Sequence, residues 1–178
     1  MIITNNEEAL RIKCEDVLPE EVGSLIDSLE KELNYANKLG KGGIGLAAPQ
    51  IGIAKNIAIV RFGKNSEFNV NLINCNIKSG YDLACFQQEG CLSFPGRVED
   101  TNRFQEVYIE NNLIYPHSFI AVGLLAVVCQ HEIDHLNSIL LMDRVIPKIL
   151  PAKSSKIGPN QICPCGKNLK YKKCCGRV

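Results

Sequence analysis

The sequence predicts an α+β fold in which mixed or antiparallel β-sheets surround one central helix. Three observations predict it: an amphipathic helical pattern opens the chain, short β-rich runs follow, and a long apolar helical pattern comes last. The chain has 178 residues, of which 46% are apolar, so it can form one domain with a sizeable core and a small appendage.

The first helix is predicted over residues 18–40, where apolar residues recur at helical spacing. Pro19 and the two glutamates that follow it suit a helix start, and Gly40 suits a helix end. Next comes a glycine-rich loop over residues 42–52, with a proline inside it. The β-rich runs that follow predict strands over residues 56–62, 68–75 and 105–110.

The last helical pattern covers residues 123–141 and is apolar on most faces, so it predicts a buried helix. The polar side chains of a buried helix must face a cavity or find partners. This helix carries the sequence HEIDH at residues 131–135. The third histidine of the chain, His117, has no pattern around it and is interpreted as incidental.

His131 and His135 are four residues apart, so on a helix they lie on one face and can both reach one metal ion. Glu132 follows the first histidine and can take a proton from a water beside the metal, as in HExxH metal hydrolases. Asp134 either orients a neighbouring ligand or pairs on the surface. The pattern also arises by chance in helices, with the histidines simply packed or exposed.

A catalytic metal site needs a third protein ligand and one open position. Cys91 lies in the sequence QEGCLS and is a candidate, although a lone cysteine is more often a small buried hydrophobe. Three segments together resemble the motifs of the peptide deformylase family, in order and at plausible spacing. They are GIGLAAPQ at residues 43–50, EGCLS at residues 89–93 and QHEIDHL at residues 130–136.

The resemblance covers about residues 7–146 and implies a role for each matching residue. It implies that the metal ligands are Cys91, His131 and His135, and that Glu132 is the general acid and base. It also implies an oxyanion site and a substrate site. The oxyanion site would be the Gln50 amide and the Leu92 N–H, Gly45 would contact the substrate backbone, and Ile44, Leu124, Val127 and Val128 would line the methionine pocket.

The implied reaction is removal of the N-terminal formyl group from the formyl-methionine of nascent polypeptides, with release of formate. The implied natural metal is Fe(II), with Zn, Ni or Co able to substitute. The chain departs from the family in three places. Cys75 stands where the family usually has proline, the substrate-gripping arginine corresponds to Arg97 or is replaced by Val98, and the usual Asp-Gly turn is absent near residues 110–117. Arg103 aligns with a separate arginine that we interpret as structural.

The C-terminal part differs sharply from the rest in charge. Residues 1–147, the predicted catalytic domain, hold twelve Lys and Arg and all nineteen Asp and Glu, a net charge of −7. Residues 148–178 hold eight Lys and Arg and no acid, a net charge of +8. This predicts an anionic partner, and a merely solubilising tail is the alternative. We divide this part into a basic linker over residues 148–160 and a cysteine-rich module over residues 161–178.

Four of the nine cysteines lie in that module, at Cys163, Cys165, Cys174 and Cys175. Four thiolates can close a structural zinc site, and the spacing resembles the SEC-C zinc motif found on the protein-translocase motor ATPase. A redox-active or unstructured cysteine tail is the alternative. The zinc knuckle is predicted to dock on ribosomal RNA, and a protein chaperone is the second candidate partner.

No secretory signal or membrane-spanning run is found, so we expect a cytoplasmic, monomeric protein, in a bacterium or in a host cell if a virus encodes it. A zincin-type protease is one rival function, but no histidine follows the helix to serve as its third ligand. A catalytically inactive deformylase-like binding module is the other rival, and an activity assay separates the two.

Overall fold

A helix and two three-stranded sheets precede the helix that carries the HEIDH sequence. The computed structural model describes residues 1–63, 66–113, 117–146, 159–161 and 169–173. The chain divides into two units, Met1–Ile146 and Pro147–Val178. The four cysteines of the predicted zinc site, and residues 148–158 of the predicted linker, lie outside the described residues.

A one-turn helix, α1, covers Glu7–Leu10, and the predicted amphipathic helix follows as α2, Val22–Lys38. Pro19 opens a 3-10 turn that leads into α2, because proline suits a first helical turn where no N–H partner is needed. Leu29, Leu33 and Ala36 form the buried side of α2. The helix prediction is therefore confirmed in this part of the chain.

The first sheet contains β1 (Gly45–Ala47), β2 (Ile57–Val60) and β3 (Val70–Ile73), in that order and antiparallel. All four residues of β2 are buried, as expected for a short apolar run in the middle of a sheet. The prediction of a loop over residues 42–52 is wrong in part. Gly45–Ala47 pairs with β2 as a strand, because its backbone finds an apolar partner strand that local sequence does not reveal.

The second sheet contains β4 (Asn76–Gly90), β5 (Val98–Glu110) and β6 (Ser118–Val122), again antiparallel throughout. Of the two alternatives, mixed or antiparallel, both sheets are therefore antiparallel. The pattern over residues 105–110 predicted only the second half of β5. Most of β4 is polar and solvent-exposed, so it lacks the apolar alternation that marks a strand.

The central helix, α3, covers Leu124–Leu136 and packs against strands of both sheets. It ends five residues before the predicted position at residue 141. Ser138 adopts a left-handed conformation with φ of 60°, and the N–H of Ile139 returns to the carbonyl of Asp134 at 2.9 Å. This bond closes the helix as a C-terminal cap. Within the described residues, no helix is long and apolar enough to cross a membrane.

Candidate active site

Three potential metal ligands converge at the end of β4 and on one face of α3. Cys91 directly follows β4, and His131 and His135 lie one turn apart on α3. Their donor atoms all lie within 4.8 Å of one another, and the three residues are buried. The Cys91 thiol sulfur is 3.3 Å from Nε2 of His135. A soft thiolate and two imidazoles form a donor set suited to a transition metal ion.

Glu89 fixes the orientation of His131. Nδ1 of His131 donates to Oε1 of Glu89 at 2.6 Å, which leaves Nε2 to face the other two donors. Thr101 and Arg103 donate to the same carboxylate, at 2.5 Å and 2.6–2.8 Å. Burial alone would raise the pKa of Glu89, but the hydrogen bonds from Arg103 and His131 outweigh it and hold the pKa well below its usual range.

Arg103 connects this carboxylate to a second one on α3. Its other guanidinium nitrogen donates to Asp134 at 2.6 Å, and Arg144 donates to Asp134 at 2.6 and 2.9 Å. Arg103 is 2% exposed and Asp134 is 6% exposed. Of the two roles considered for Asp134, the buried one therefore agrees with the structure, since Asp134 supports the arginine that holds Glu89.

Glu132 lies between the two histidines on α3, and its carboxylate faces Gly45 of β1. The side chain is buried, and its Oε2 is without a hydrogen-bond partner among the described residues. Burial raises the pKa of Glu132 to about 7. A methyl group on Gly45 would collide with this carboxylate, so glycine leaves the space that Glu132 occupies. A carboxyl group with such a pKa suits proton transfer near neutral pH.

Gln50 directs its amide group toward the same point. Its Oε1 accepts from the backbone N–H of Ala47 at 2.8 Å, and its Nε2 donates to Ser93 at 3.1 Å and to the Cys91 sulfur at 3.6 Å. Gln50 is 1% exposed, and the 3-10 turn Ala48–Ile51 that carries it follows β1 directly. The bond to Ala47 fixes which end of the amide faces the thiol.

A cavity of about 520 Å³ opens beside these side chains. Cys91, His131 and Glu132 form part of its wall. Every residue that the sequence resemblance assigned to the oxyanion or to the substrate also lines it: Gln50, Leu92, Ile44, Gly45, Leu124, Val127 and Val128. The apolar members form one side of the cavity, which suits an unbranched apolar side chain.

Comparison with known proteins identifies the family. The polypeptide deformylase family model matches residues 1–149. The chain belongs to the polypeptide deformylase family. The peptide deformylase of Heliobacterium modesticaldum is 39% identical over 148 residues, covering 81% of this chain and 92% of that protein. Peptide deformylase 2 of Vibrio cholerae is 36% identical over 149 residues, covering 82% of this chain and 86% of that protein.

Solved deformylase structures share the fold. The crystal structure of the Synechococcus elongatus peptide deformylase in complex with actinonin has a TM-score of 0.72 and 33% sequence identity. The match covers 83% of this chain and 81% of that one. This chain is accordingly a metal-dependent enzyme that removes the N-terminal formyl group of formyl-methionyl nascent peptides. Family membership removes the zincin-type protease from consideration.

Sequence reasoning did not find several residues that support the deformylase site. They are Glu89 as the partner of His131, together with Ser93, Thr101 and Arg144. Glu89 lies only two residues before Cys91, and strand alternation would have placed its side chain on the same face as the cysteine. The other three had no local signal, because their partners lie far away in the chain.

The cavity rim also shows how the chain differs from the family pattern. Arg97 and Val98 both line the cavity. Arg97 donates to Glu99 at 2.8 Å, and Val98 is 57% exposed. The guanidinium is therefore next to the cavity although its position in the sequence is displaced by one residue. Arg103 is buried in the ion-pair network, in agreement with its interpretation as structural.

Proposed function

We propose that Cys91, His131 and His135 hold the catalytic metal ion of this deformylase. The observation that carries the proposal is the convergence of their donor atoms within 4.8 Å at the wall of the cavity. Glu89 supports it, because it occupies the other nitrogen of His131. When bound there, a divalent metal ion supplies a positive charge that lowers the pKa of water and polarises a carbonyl group. We expect Fe(II), with Zn, Ni or Co able to substitute.

Glu132 is proposed as the proton carrier. Its carboxylate takes a proton from the attacking water as the water oxygen bonds to the formyl carbon. It then gives this proton to the peptide nitrogen as the carbon–nitrogen bond breaks, so the products are formate and a free amine. The unpartnered Oε2 and the raised pKa of Glu132 support this role, since a group that is already hydrogen-bonded is a weaker proton acceptor.

The negative charge that develops on the formyl oxygen needs donors close to the thiol. The Gln50 amide is held there by Ala47, and we propose that it and the Leu92 N–H stabilise this oxygen. Each well-placed donor of this kind is worth about 3–4 kcal/mol in the transition state. Leu92 directly follows Cys91 and lines the cavity, so its backbone is next to the metal ligands.

The apolar side of the cavity is proposed to receive the methionine side chain. Leu124, Val127 and Val128 lie on α3, and Ile44 lies across the cavity just before β1. Gly45 would hold the peptide backbone, because a strand edge offers its N–H and C=O groups to an extended chain. The substrate would therefore enter extended, with its first side chain buried and its formyl group beside Glu132.

The deciding measurement is formate release from formyl-Met-Ala-Ser by protein reconstituted anaerobically with Fe(II). Acetyl-Met-Ala-Ser is the matched control, since it differs from the formyl peptide by one methyl group. We expect release from the formyl peptide and slower hydrolysis of the acetyl peptide by at least about tenfold. A folded, metal-loaded protein that releases no formate would instead be a binding module that acts through its tail.

Gly45→Ala is expected to lower formate release by about 100-fold, because the added methyl group must displace the Glu132 carboxylate. The control is Gly23→Ala, since a methyl group at Gly23 meets no atom within 4 Å. Steady-state kinetics on formyl-Met-Ala-Ser would compare the two variants. Equal activity of the two would contradict the close approach of Gly45 to Glu132.

For the C-terminal part, we propose a structural zinc site formed by Cys163, Cys165, Cys174 and Cys175. A site closed by four thiolates has no position for substrate, so the zinc would act by folding the module. Zinc content measured by mass spectrometry of the native protein tests this. Cys163→Ser is expected to lose this zinc while formate release by the Fe(II)-loaded protein persists.

The basic tail is proposed to bring the enzyme to the ribosome, whose surface is anionic RNA. The eight Lys and Arg of residues 148–178 support this, and three of them, Lys170, Lys172 and Lys173, are exposed around a 3-10 turn. We place this activity in the cytoplasm of a bacterium, or of a host cell if a virus encodes the chain. A protein chaperone is the second candidate partner.

Co-sedimentation with ribosomes would test the docking proposal. We expect binding that weakens steeply as salt rises, because each lysine–phosphate contact releases a counterion. Deletion of residues 152–178 should abolish it. The combined Lys→Gln changes at residues 170, 172 and 173 keep the cysteines and should reduce the salt dependence by about three contacts. Binding that is insensitive to salt would contradict an RNA partner.

A further inference from the structure

Strand β6 is the edge strand of the second sheet. It pairs with β5 on one side, and its other side has no partner strand among the described residues. Edge strands expose N–H and C=O groups that can template another strand, and proteins usually protect them with charges or proline. The sequence of β6, SFIAV, contains neither.

The register identifies which backbone groups of β6 face outward. The N–H of Asn111 donates to the carbonyl of His117 at 2.5 Å, and the N–H of Gly123 donates to that of Gln105 at 2.8 Å. In an antiparallel ladder only every second opposed pair exchanges hydrogen bonds. The odd-numbered residues of β6 therefore face β5, and the N–H and C=O groups of Ser118, Ile120 and Val122 face the open edge.

The same three residues direct their side chains away from the core. Ile120 is 60% exposed and Val122 is 57% exposed, while Ala121 between them is buried. Tyr108 is opposite Ile120 on β5, and is 38% exposed. Open backbone groups and exposed apolar side chains thus occur together on this strand, which is the combination expected of a strand that pairs with another chain.

We propose that β6 pairs antiparallel with β6 of a second copy of this chain, about a twofold axis that passes beside Ile120. Ile120 then faces Ile120 of the partner copy, and Ser118 faces Val122 of that copy. All three are outward-facing positions, so about six backbone hydrogen bonds form and the two sheets join into one. This departs from the monomer expected from the sequence.

The charges around β6 favour a second copy over other partners. Glu106 and Glu110 of β5 are opposite Val122 and Ser118, so an anionic RNA or lipid surface would be repelled. In the paired sheet no carboxylate faces another across the axis, because the three facing positions are uncharged. Glu110 is further neutralised by Lys78 at 2.6 Å. The strand is therefore complementary to itself.

Sedimentation of the full metal-loaded chain, from about 1 to about 500 μM, tests the proposal. We expect a dimer that dissociates on dilution. Ile120→Glu would place two carboxylates opposite each other and should raise the dissociation constant at least about tenfold. Tyr35→Glu on α2 is the matched control, since Tyr35 is 57% exposed but lies away from β6. Both variants should retain formate release.

A cross-linking experiment tests the register. With Ile120→Cys, the two new thiols lie on facing residues whose Cα atoms are about 5.5 Å apart, within the range of a disulfide. With Ser118→Cys they would be about 13 Å apart and should not cross-link. Wild type controls for the native cysteines. A monomer at every concentration, a dimer that Ile120→Glu leaves unchanged, or equal cross-linking of the two cysteine variants would overturn the proposal.

Discussion

Replacing Glu132 with glutamine is expected to lower formate release by about 10²–10⁴-fold, the range lost when a general acid or base is removed. Glutamine has nearly the same shape, so the helix and the three candidate ligands stay in place. It cannot accept a proton from water or return one to the leaving nitrogen. Its amide also suits the buried position, since the Glu132 carboxylate has no partner for Oε2 among the described residues.

Two measurements separate loss of proton transfer from loss of the site. Metal content should remain the same in Glu132→Gln and wild type, because Glu132 is not among the three clustered donors. Glu99→Gln is the control for a change of charge near the cavity, because Glu99 pairs with Arg97 at the rim. It should alter activity by no more than a few-fold. Glu132→Gln activity within about threefold of wild type would exclude the proposed role.

The ligands could be proposed from sequence because their signals are local. His131, Glu132 and His135 follow helical spacing, and the buried helix that they occupy has a continuous apolar pattern. The third ligand was different, because Cys91 is distant in sequence from the histidines. Only the resemblance of three short segments to a family related it to them, since a lone cysteine carries no chemical signal of its own.

The missed features depend on contacts between distant parts of the chain. The polar strand β4 is stabilised by pairing with β5 along most of its length, and its own pattern does not reveal that partner. The early end of α3 depends on a left-handed serine, a conformation that sequence rarely signals. Likewise, Arg103 joins residues fourteen positions before it and thirty-one after it, which no periodicity could indicate.

Removal of the Arg103 guanidinium is expected to have the largest effect on stability. Arg103→Met keeps much of the side-chain volume but leaves Glu89 without its main cation and Asp134 with Arg144 alone. Breaking a buried ion pair by removing one partner costs about 3–5 kcal/mol, because a charge stays buried without compensation. Urea denaturation of the metal-free protein should therefore show a lower free energy of unfolding by about that amount.

The matched control is Arg11→Met, which breaks the same kind of pair on the surface. Arg11 binds Asp143 at 2.7 Å, but both side chains are about one-third exposed, at 35% and 37%. Water screens such a pair, so its loss should cost less than about 1 kcal/mol. If the two variants lose equal stability, burial is not what makes the Arg103 network important.

Arg103→Lys separates charge from geometry at the same position. Lysine keeps the positive charge but has a single nitrogen, which cannot bind Glu89 through two bonds and reach Asp134 as well. A less restrained Glu89 would hold His131 less firmly, and loss of such support typically weakens metal binding by about 10–100-fold. We therefore expect Arg103→Lys to recover part of the stability but to bind metal more weakly than wild type. Competition with a chelator would measure this, and wild-type metal affinity in Arg103→Lys would show that the charge alone is sufficient.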